Sequence, residues 1–231
     1  MPRIKGIVFD KDGTLFDFQA TWGAWSLGML HVEANGDPLL VERLAQVLGY
    51  DLRTKRFRSD TVIAATTDVL ADALLPHLPG TGKAELIQRM DARAAQAPQV
   101  EAAPLADLLD RLAKMGLALG IATNDAEVSA RAHLRAAGVE GAFDFIACHD
   151  SGWGAKPDAG QLLAFAHATR LDPAECVMVG DSLHDLMAAR AAGMSGVAVL
   201  TGLADRATLA PMADAVLETI ADLPDWIAAQ G

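Results

Sequence analysis

Cysteine is nearly absent from this sequence, with two, Cys148 and Cys176, in 231 residues. Both sit in apolar segments, Ile-Ala-Cys and Cys-Val-Met-Val. A disulfide scaffold needs more cysteines in a shorter chain, so both read as buried free thiols of a reducing compartment. No CxxC spacing and no histidine cluster is present, which argues against a zinc site. Positive charge is also short: 19 Lys and Arg stand against 30 Asp and Glu, a net charge of −11. Duplex nucleic acid and anionic membrane surfaces both demand a basic surplus, so neither fits as the main partner. Long hydrophobic runs are missing. The opening stretch Ile7-Val8-Phe9 is too short for a signal-peptide core, and no run nears the ~18 apolar residues of a membrane span. These absences point to a cytoplasmic protein. What is plentiful is apolar material, 52% of residues. That excludes a disordered chain and suffices for one large domain or two modest ones.

Residues 4–10 read as a short buried strand followed by a turn at Asp12-Gly13-Thr14. From about 18 to 100 strand-like runs vanish and helix patterns take over. Helices are expected over 18–35, stopped by Gly36; over 38–48, with Asp37 as N-cap and Pro38 in the first turn; over 59–75, stopped by Pro76; and over about 82–97, ended by Pro98. Beyond 100 helices and strands alternate as far as Leu200, with strands at 117–123, 143–148, 176–180 and 196–200. That alternation implies a parallel sheet covered on both faces. The expected fold is therefore α/β: a doubly wound, Rossmann-like catalytic core of residues 1–17 and 101–231. An all-helical domain of residues 18–100 is inserted after the first strand. Ligands bind beyond the carboxyl ends of strands in such sheets, so the insertion is placed to act as a lid.

The polar clusters follow strand ends. Asp10 and Asp12 follow the first strand; Thr123, Asn124 and Asp125 the second; Asp181, Ser182 and Asp185 follow Met178-Val179-Gly180. In a parallel sheet these ends share one edge. At least four carboxylates then meet in one crevice, with Lys156 as the nearby cation. Like-charge repulsion makes such a cluster unstable without a divalent ion, and hard oxygen ligands favour Mg²⁺.

Asp10-Lys11-Asp12-Gly13-Thr14-Leu15 after a Val-Phe strand resembles the first motif, DxDGT, of the haloacid dehalogenase-like hydrolase superfamily. Thr123 at a strand end resembles the second motif, Lys156-Pro157 the third, and Gly180-Asp181-Ser182-Leu183-His184-Asp185 the fourth. All four occur in order and span nearly the whole core. The helical insertion is similar to the cap of phosphoglycolate phosphatases and β-phosphoglucomutases. The resemblance implies Asp10 as the nucleophile that forms an aspartyl phosphate. Asp12 is implied as the acid and base, with its pKa raised by acidic neighbours. Thr123, Asn124 and Lys156 are implied in binding the phosphate. Asp181 is the implied side-chain metal ligand, joined by Asp10 and the backbone carbonyl of Asp12, and Asp185 acts through water or by orienting Lys156. Dehalogenases and phosphonoacetaldehyde hydrolases of the superfamily carry other residues at the position of Asp12, and its presence points away from both.

The function so implied is a Mg²⁺-dependent phosphatase of a small phosphate monoester, of the phosphoglycolate or sugar-phosphate type. The same motifs serve a phosphomutase of the β-phosphoglucomutase type, and a non-catalytic binding protein on this fold is the alternative from another class. The family contains both monomers and homodimers. Specificity would reside in the insertion. Arg53, Lys55, Arg56 and Arg58 form a basic cluster, either a solvated loop or a contact for an acidic part of the substrate. Trp22 and Trp25 share a helical face and either pack inside the insertion or line the pocket. Trp153, between two glycines, is a candidate pocket wall. Lys11, in the variable position of the first motif, is expected to face solvent or the insertion. Asp125 is expected to cap the helix after it, and His184 to lie on a helix surface.

Overall fold

The computed structural model describes residues 3–58 and 65–230, the side chain of Ala24 apart. Six strands form one parallel sheet: β1 (Gly6–Phe9), β4 (Ala118–Ala122), β5 (Phe145–Ala147), β6 (Cys176–Gly180), β7 (Ser195–Val199) and β8 (Ala215–Leu217). Their order across the sheet is β5-β4-β1-β6-β7-β8, which puts β1 in the middle. Successive side chains of a strand point to opposite faces. Ile7 and Phe9 accordingly enter one apolar cluster, and Val8 enters the other. Helix α5 (Leu105–Lys114) packs on the first face through Leu105, Leu108, Leu109 and Leu112, an i, i+3, i+4, i+7 stripe that is wholly buried. Helix α7 (Gly160–Thr169) covers the second face through Leu162 and Phe165. Helices α6 (Glu127–Ala136) and α8 (Leu183–Ala192) follow β4 and β6. The short α9 (Arg206–Leu209), strand β8 and α10 (Leu223–Ala228) complete the chain beyond the last strand expected from sequence. Both cysteines are buried and free.

Between β1 and α5 lies the helical insertion: α1 (Phe18–Glu33), α2 (Pro38–Val47), α3 (Thr67–Leu74) and α4 (Lys83–Ala94). Asp17 caps α1 by accepting the N–H of Ala20, and Asp37 caps α2 by accepting that of Leu39. Leu30, Leu44, Leu74 and Leu86, one from each helix, are completely buried in a cluster of their own. The two chain crossings lie side by side, since the N–H of Asp17 donates to the carbonyl of Val100 and that of Ala102 to Leu15.

Two details differ from the sequence expectation. The insertion is not all helical: β2 (Tyr50–Asp51) and β3 (Arg56–Phe57) form an antiparallel ribbon. Its turn has no Asn-Gly or Gly-Gly signature. Instead the Asp51 carboxylate accepts the N–H groups of Arg53 and Thr54, and Lys55 takes the left-handed conformation at φ 55°. The third helix begins at Thr67 rather than Ser59, because Thr66 caps it through its side chain. Residues 59–64 of that expected helix lie outside the described residues.

Candidate active site

Strand register brings the motif residues together. Phe9 at the end of β1 sits opposite Ile121 of β4 on one side and Val179 of β6 on the other. One or two residues further along each strand come Asp10, Thr123 and Asp181. The ligand edge of a parallel sheet is where these carboxyl ends emerge.

Asp10 is 7% exposed, and Lys156 Nζ donates to its Oδ1 at 2.6 Å. The same ammonium donates to Asp185 Oδ1 at 2.6 Å, and Asp185 Oδ2 accepts the N–H and the hydroxyl of Ser182. Asp185 is thus held as a fixed partner of Lys156. Burial pulls the Lys156 pKa down, but the charges of Asp10 and Asp185 outweigh it and keep the amine protonated. Burial pushes the Asp10 carboxyl up to about 7, helped by the nearby Asp185 charge and opposed by Lys156. Burial likewise raises Asp181 well above the usual carboxylate range, with Asp10 and Asp185 adding repulsion.

Asp10, Asp181 and Asp185 each offer a carboxylate oxygen, all within 4.8 Å of one another. Asp181 Oδ2 is buried without a hydrogen-bond partner. It lies in a close-fitting slot, since a Cβ on Gly13 would stand 2.4 Å from it and one on Gly202 1.7 Å. Gly13 also has φ 82°, so no other residue fits its turn without strain. A buried, unpartnered oxygen among clustered carboxylates suits a hard divalent cation.

Thr123 is 2% exposed, and its Oγ1 accepts the N–H of Asp125 at 3.1 Å. That contact uses a lone pair and leaves the hydroxyl proton to donate. Asn124 is locked to the Lys156 backbone by two bonds, Nδ2 to the carbonyl at 2.9 Å and Oδ1 from the N–H at 2.8 Å. Its amide therefore fixes the loop that carries the lysine.

Of the two places expected for Lys11, the structure excludes solvent. It is completely buried rather than facing solvent, and it lies against Trp22 of the insertion. Its Nζ lies 2.6 Å from both oxygens of Asp12, 3.3 Å from Asp125 Oδ2 and 3.1 Å from His133 Nδ1. The rings of Phe16 and Trp22 have their centroids within 6 Å of it, at 5.8 and 5.7 Å. His133 Nε2 meets the carbonyl of Ala94 at 2.7 Å. Burial and the Lys11 charge hold its pKa down, so the imidazole is neutral, donating from Nε2 and accepting from Lys11 at Nδ1. Asp125 sits at the start of α6, where Oδ1 accepts from Ala126 N–H and the Ser129 hydroxyl. Its other oxygen faces Lys11.

This cluster reverses the expected pKa of Asp12. Burial pushes it up, but Lys11 and the indole N–H of Trp22, which donates to Oδ1 at 2.8 Å, hold it below the usual carboxylate range. His133 escaped the sequence reading altogether. No local signal in the sequence pointed to it, since its partner Lys11 lies 122 positions away.

A cavity of about 110 Å³ runs from Asp10, Asp12, Thr123, Asn124 and Lys156 to the insertion. Trp22 lines it, and so does His184. Arg53 and Arg56 are exposed on the β2–β3 ribbon, and Trp153 is half exposed; the lining includes none of the three. Arg53→Ala and Arg56→Ala are expected to leave KM for any phosphate ester turned over within about twofold of the parent, since exposed charges away from a ligand contribute little. Steady-state kinetics of the two variants would decide this, and a tenfold rise in KM would return these arginines to the site.

Residues 4–193 match the family of haloacid dehalogenase-like hydrolases. The chain is 32% identical over 225 residues to a phosphoglycolate phosphatase of Chromobacterium violaceum, covering 97% of each chain. It is 29% identical over 221 residues to a phosphoglycolate phosphatase of Agrobacterium fabrum, covering 94% of this chain and 89% of the other. Its fold is similar to that of a β-phosphoglucomutase from Clostridium difficile, with a TM-score of 0.71 at 18% identity over 98% of this chain and 96% of the other. The ordered motifs, their convergence at one sheet edge and these similarities agree: the chain belongs to the haloacid dehalogenase-like hydrolases and is a phosphatase of that family.

Proposed function

We propose that the protein is a Mg²⁺-dependent phosphatase that hydrolyses a small phosphate monoester through an aspartyl phosphate on Asp10. The single observation that carries this reading is the arrangement of Asp10 beside Lys156 and the unpartnered Asp181 oxygen, next to a cavity that Asp10 and Lys156 line. Asp10 and Asp181 would hold the ion through their side chains, with the Asp12 carbonyl. Bound there, Mg²⁺ would offset the charge of both nucleophile and phosphate. An Asp10 oxygen attacks phosphorus and the bond to the leaving oxygen breaks. Thr123 and Lys156 hold the phosphoryl oxygens. Asp12 gives the departing alkoxide its proton, then takes one from the water that hydrolyses the acyl phosphate. Lys11 and Trp22 hold Asp12 in the anionic form that the second step requires. The negative charge of an arriving phosphate works the other way, towards the protonated form that the first step requires. The insertion acts as a lid that excludes bulk water.

The names of the relatives make phosphoglycolate the first ester to assay. Phosphate release with Mg²⁺, lost on chelation and restored by Mg²⁺, is the expected result; release unaffected by chelator would overturn the metal requirement. Mg²⁺ binding is also expected to raise the melting temperature by a few degrees, by mass action on the folded state. Burial raises the Asp10 and Asp181 carboxyls in the ion-free protein, so below their raised pKa values they carry protons that ion binding must displace. The Mg²⁺-induced rise should therefore be larger at about pH 8 than at about pH 5. Calorimetric scans at the two pH values, with and without Mg²⁺, check this; an equal rise at both contradicts it.

A further inference from the structure

Phosphoglycolate carries a carboxylate beyond its ester oxygen, and the far end of the cavity offers that group no cation. The insertion lines the cavity chiefly with Phe18, Trp22, Trp25, Met29, Leu70 and Met90. Among the described residues, the basic side chains in the lining are Lys156 and His184, both from the core. Residues 59–64 read Ser-Asp-Thr-Val-Ile-Ala, so they add none. Lys156 is already engaged by Asp10 and Asp185 at the phosphate end.

The polar atoms of the insertion are mostly engaged as well. Trp22 Nε1 donates to Asp12, Trp25 Nε1 to the carbonyl of Arg93 at 3.1 Å, and the Thr67 hydroxyl to Asp91 at 2.7 Å. With their N–H groups taken, the two indoles, packed edge to face at 5.0 Å, have carbon surface to offer a ligand. A buried carboxylate without a counter-charge is strongly disfavoured, whereas an apolar group gains from leaving water.

We propose that the organic part of the substrate is apolar: a compact alkyl chain or a single ring on a primary alcohol phosphate, seated against Trp22, Trp25, Met29 and Leu70. This rests on the reading of the site as a phosphatase, and it names the class of ester that the site selects.

Two matched pairs of probes test it. Benzyl phosphate and phosphoglycolate are both esters of primary alcohols and differ in phenyl against carboxylate. Their non-hydrolysable counterparts, 2-phenylethylphosphonate and 3-phosphonopropionate, report binding without turnover. With Mg²⁺ present, we expect the native protein to bind phenylethylphosphonate at least about tenfold tighter in titration calorimetry. We expect kcat/KM for benzyl phosphate to exceed that for phosphoglycolate by a similar factor. Leu70→Arg, a half-buried position, should shrink or reverse both ratios. Equal or tighter binding of phosphonopropionate overturns the inference, as does a binding ratio that Leu70→Arg leaves unchanged. Tight phenylethylphosphonate binding with no hydrolysis of any ester would overturn the phosphatase reading and leave only the apolar preference of the cavity standing. Preferred hydrolysis of phosphoglycolate would do the reverse.

Discussion

Asp10→Asn is expected to lower phosphate release from any ester by at least about a thousandfold, while the metal-free protein folds as well as the parent or better. The first half follows from chemistry. An amide is a poor nucleophile towards phosphorus and removes the covalent step, and loss of a nucleophile is among the most damaging single changes an enzyme can suffer. The second half follows from electrostatics. Burial holds the Asp10 carboxyl up at about 7 in the folded chain, against an ordinary 3.8. A carboxyl whose folded pKa is raised costs stability as pH climbs from its unfolded value to its folded one, and the full cost remains above both. Asparagine is uncharged throughout that range and still accepts from Lys156, so it relieves repulsion with Asp181 and Asp185. The two readouts, phosphate release and a melting scan in chelator, should therefore move in opposite directions or only the first should move. Activity within tenfold of the parent would remove Asp10 from the chemistry. A large drop in metal-free melting temperature would show instead that its charge is structural.

The convergence of Asp10, Thr123 and Asp181 was legible in the sequence for a physical reason. In a parallel sheet every strand ends on the same edge, so polar residues directly after apolar runs must meet there. The helices announced themselves through Asp37-Pro38 and through leucines at helical spacing in α5. What stayed hidden depended on partners remote in the chain. Lys11 lies 122 positions from His133, and nothing local shows that a lysine at this point turns inward. The ribbon of β2 and β3 is two residues long on each strand and is closed by a side chain rather than by a glycine turn, so it leaves no period to read. Strand β8 has three half-buried residues, too few for a pattern. The insertion was recognisable as helical, yet which of its side chains face the cavity depends on how the helices pack: of the specificity candidates named from the sequence, Trp22 lines the cavity and Arg53, Arg56 and Trp153 do not.

Lys11→Met should cost about 3 kcal/mol of stability near neutral pH, a large share of the 5–15 kcal/mol typical of a folded domain. Methionine fills the space but leaves Asp12 and Asp125 facing each other without the ammonium between them. It also removes the donor to His133 Nδ1. The pH dependence identifies the cause. In the parent, Asp12 is held below its ordinary 3.8, so it contributes stability above that value and loses it as pH falls through the folded pKa. Without Lys11 the burial of Asp12 is opposed by Trp22 and His133 alone and its pKa moves up, so the carboxyl loses that contribution as pH climbs. The gap between parent and variant must therefore open from about pH 4 upward and be widest at neutrality. Urea unfolding at about pH 4.5 and pH 7.5 measures it, and a gap that is absent at neutrality or that widens in acid would contradict the account. Activity carries the same signature. Asp12 in the variant keeps its proton to higher pH, so the limb of the kcat/KM profile set by its ionisation should shift upward as well as the rate fall. A substitution that merely loosened the packing would lower the rate without moving that limb, and this separates a lysine that tunes the acid–base group from one that only fills the fold.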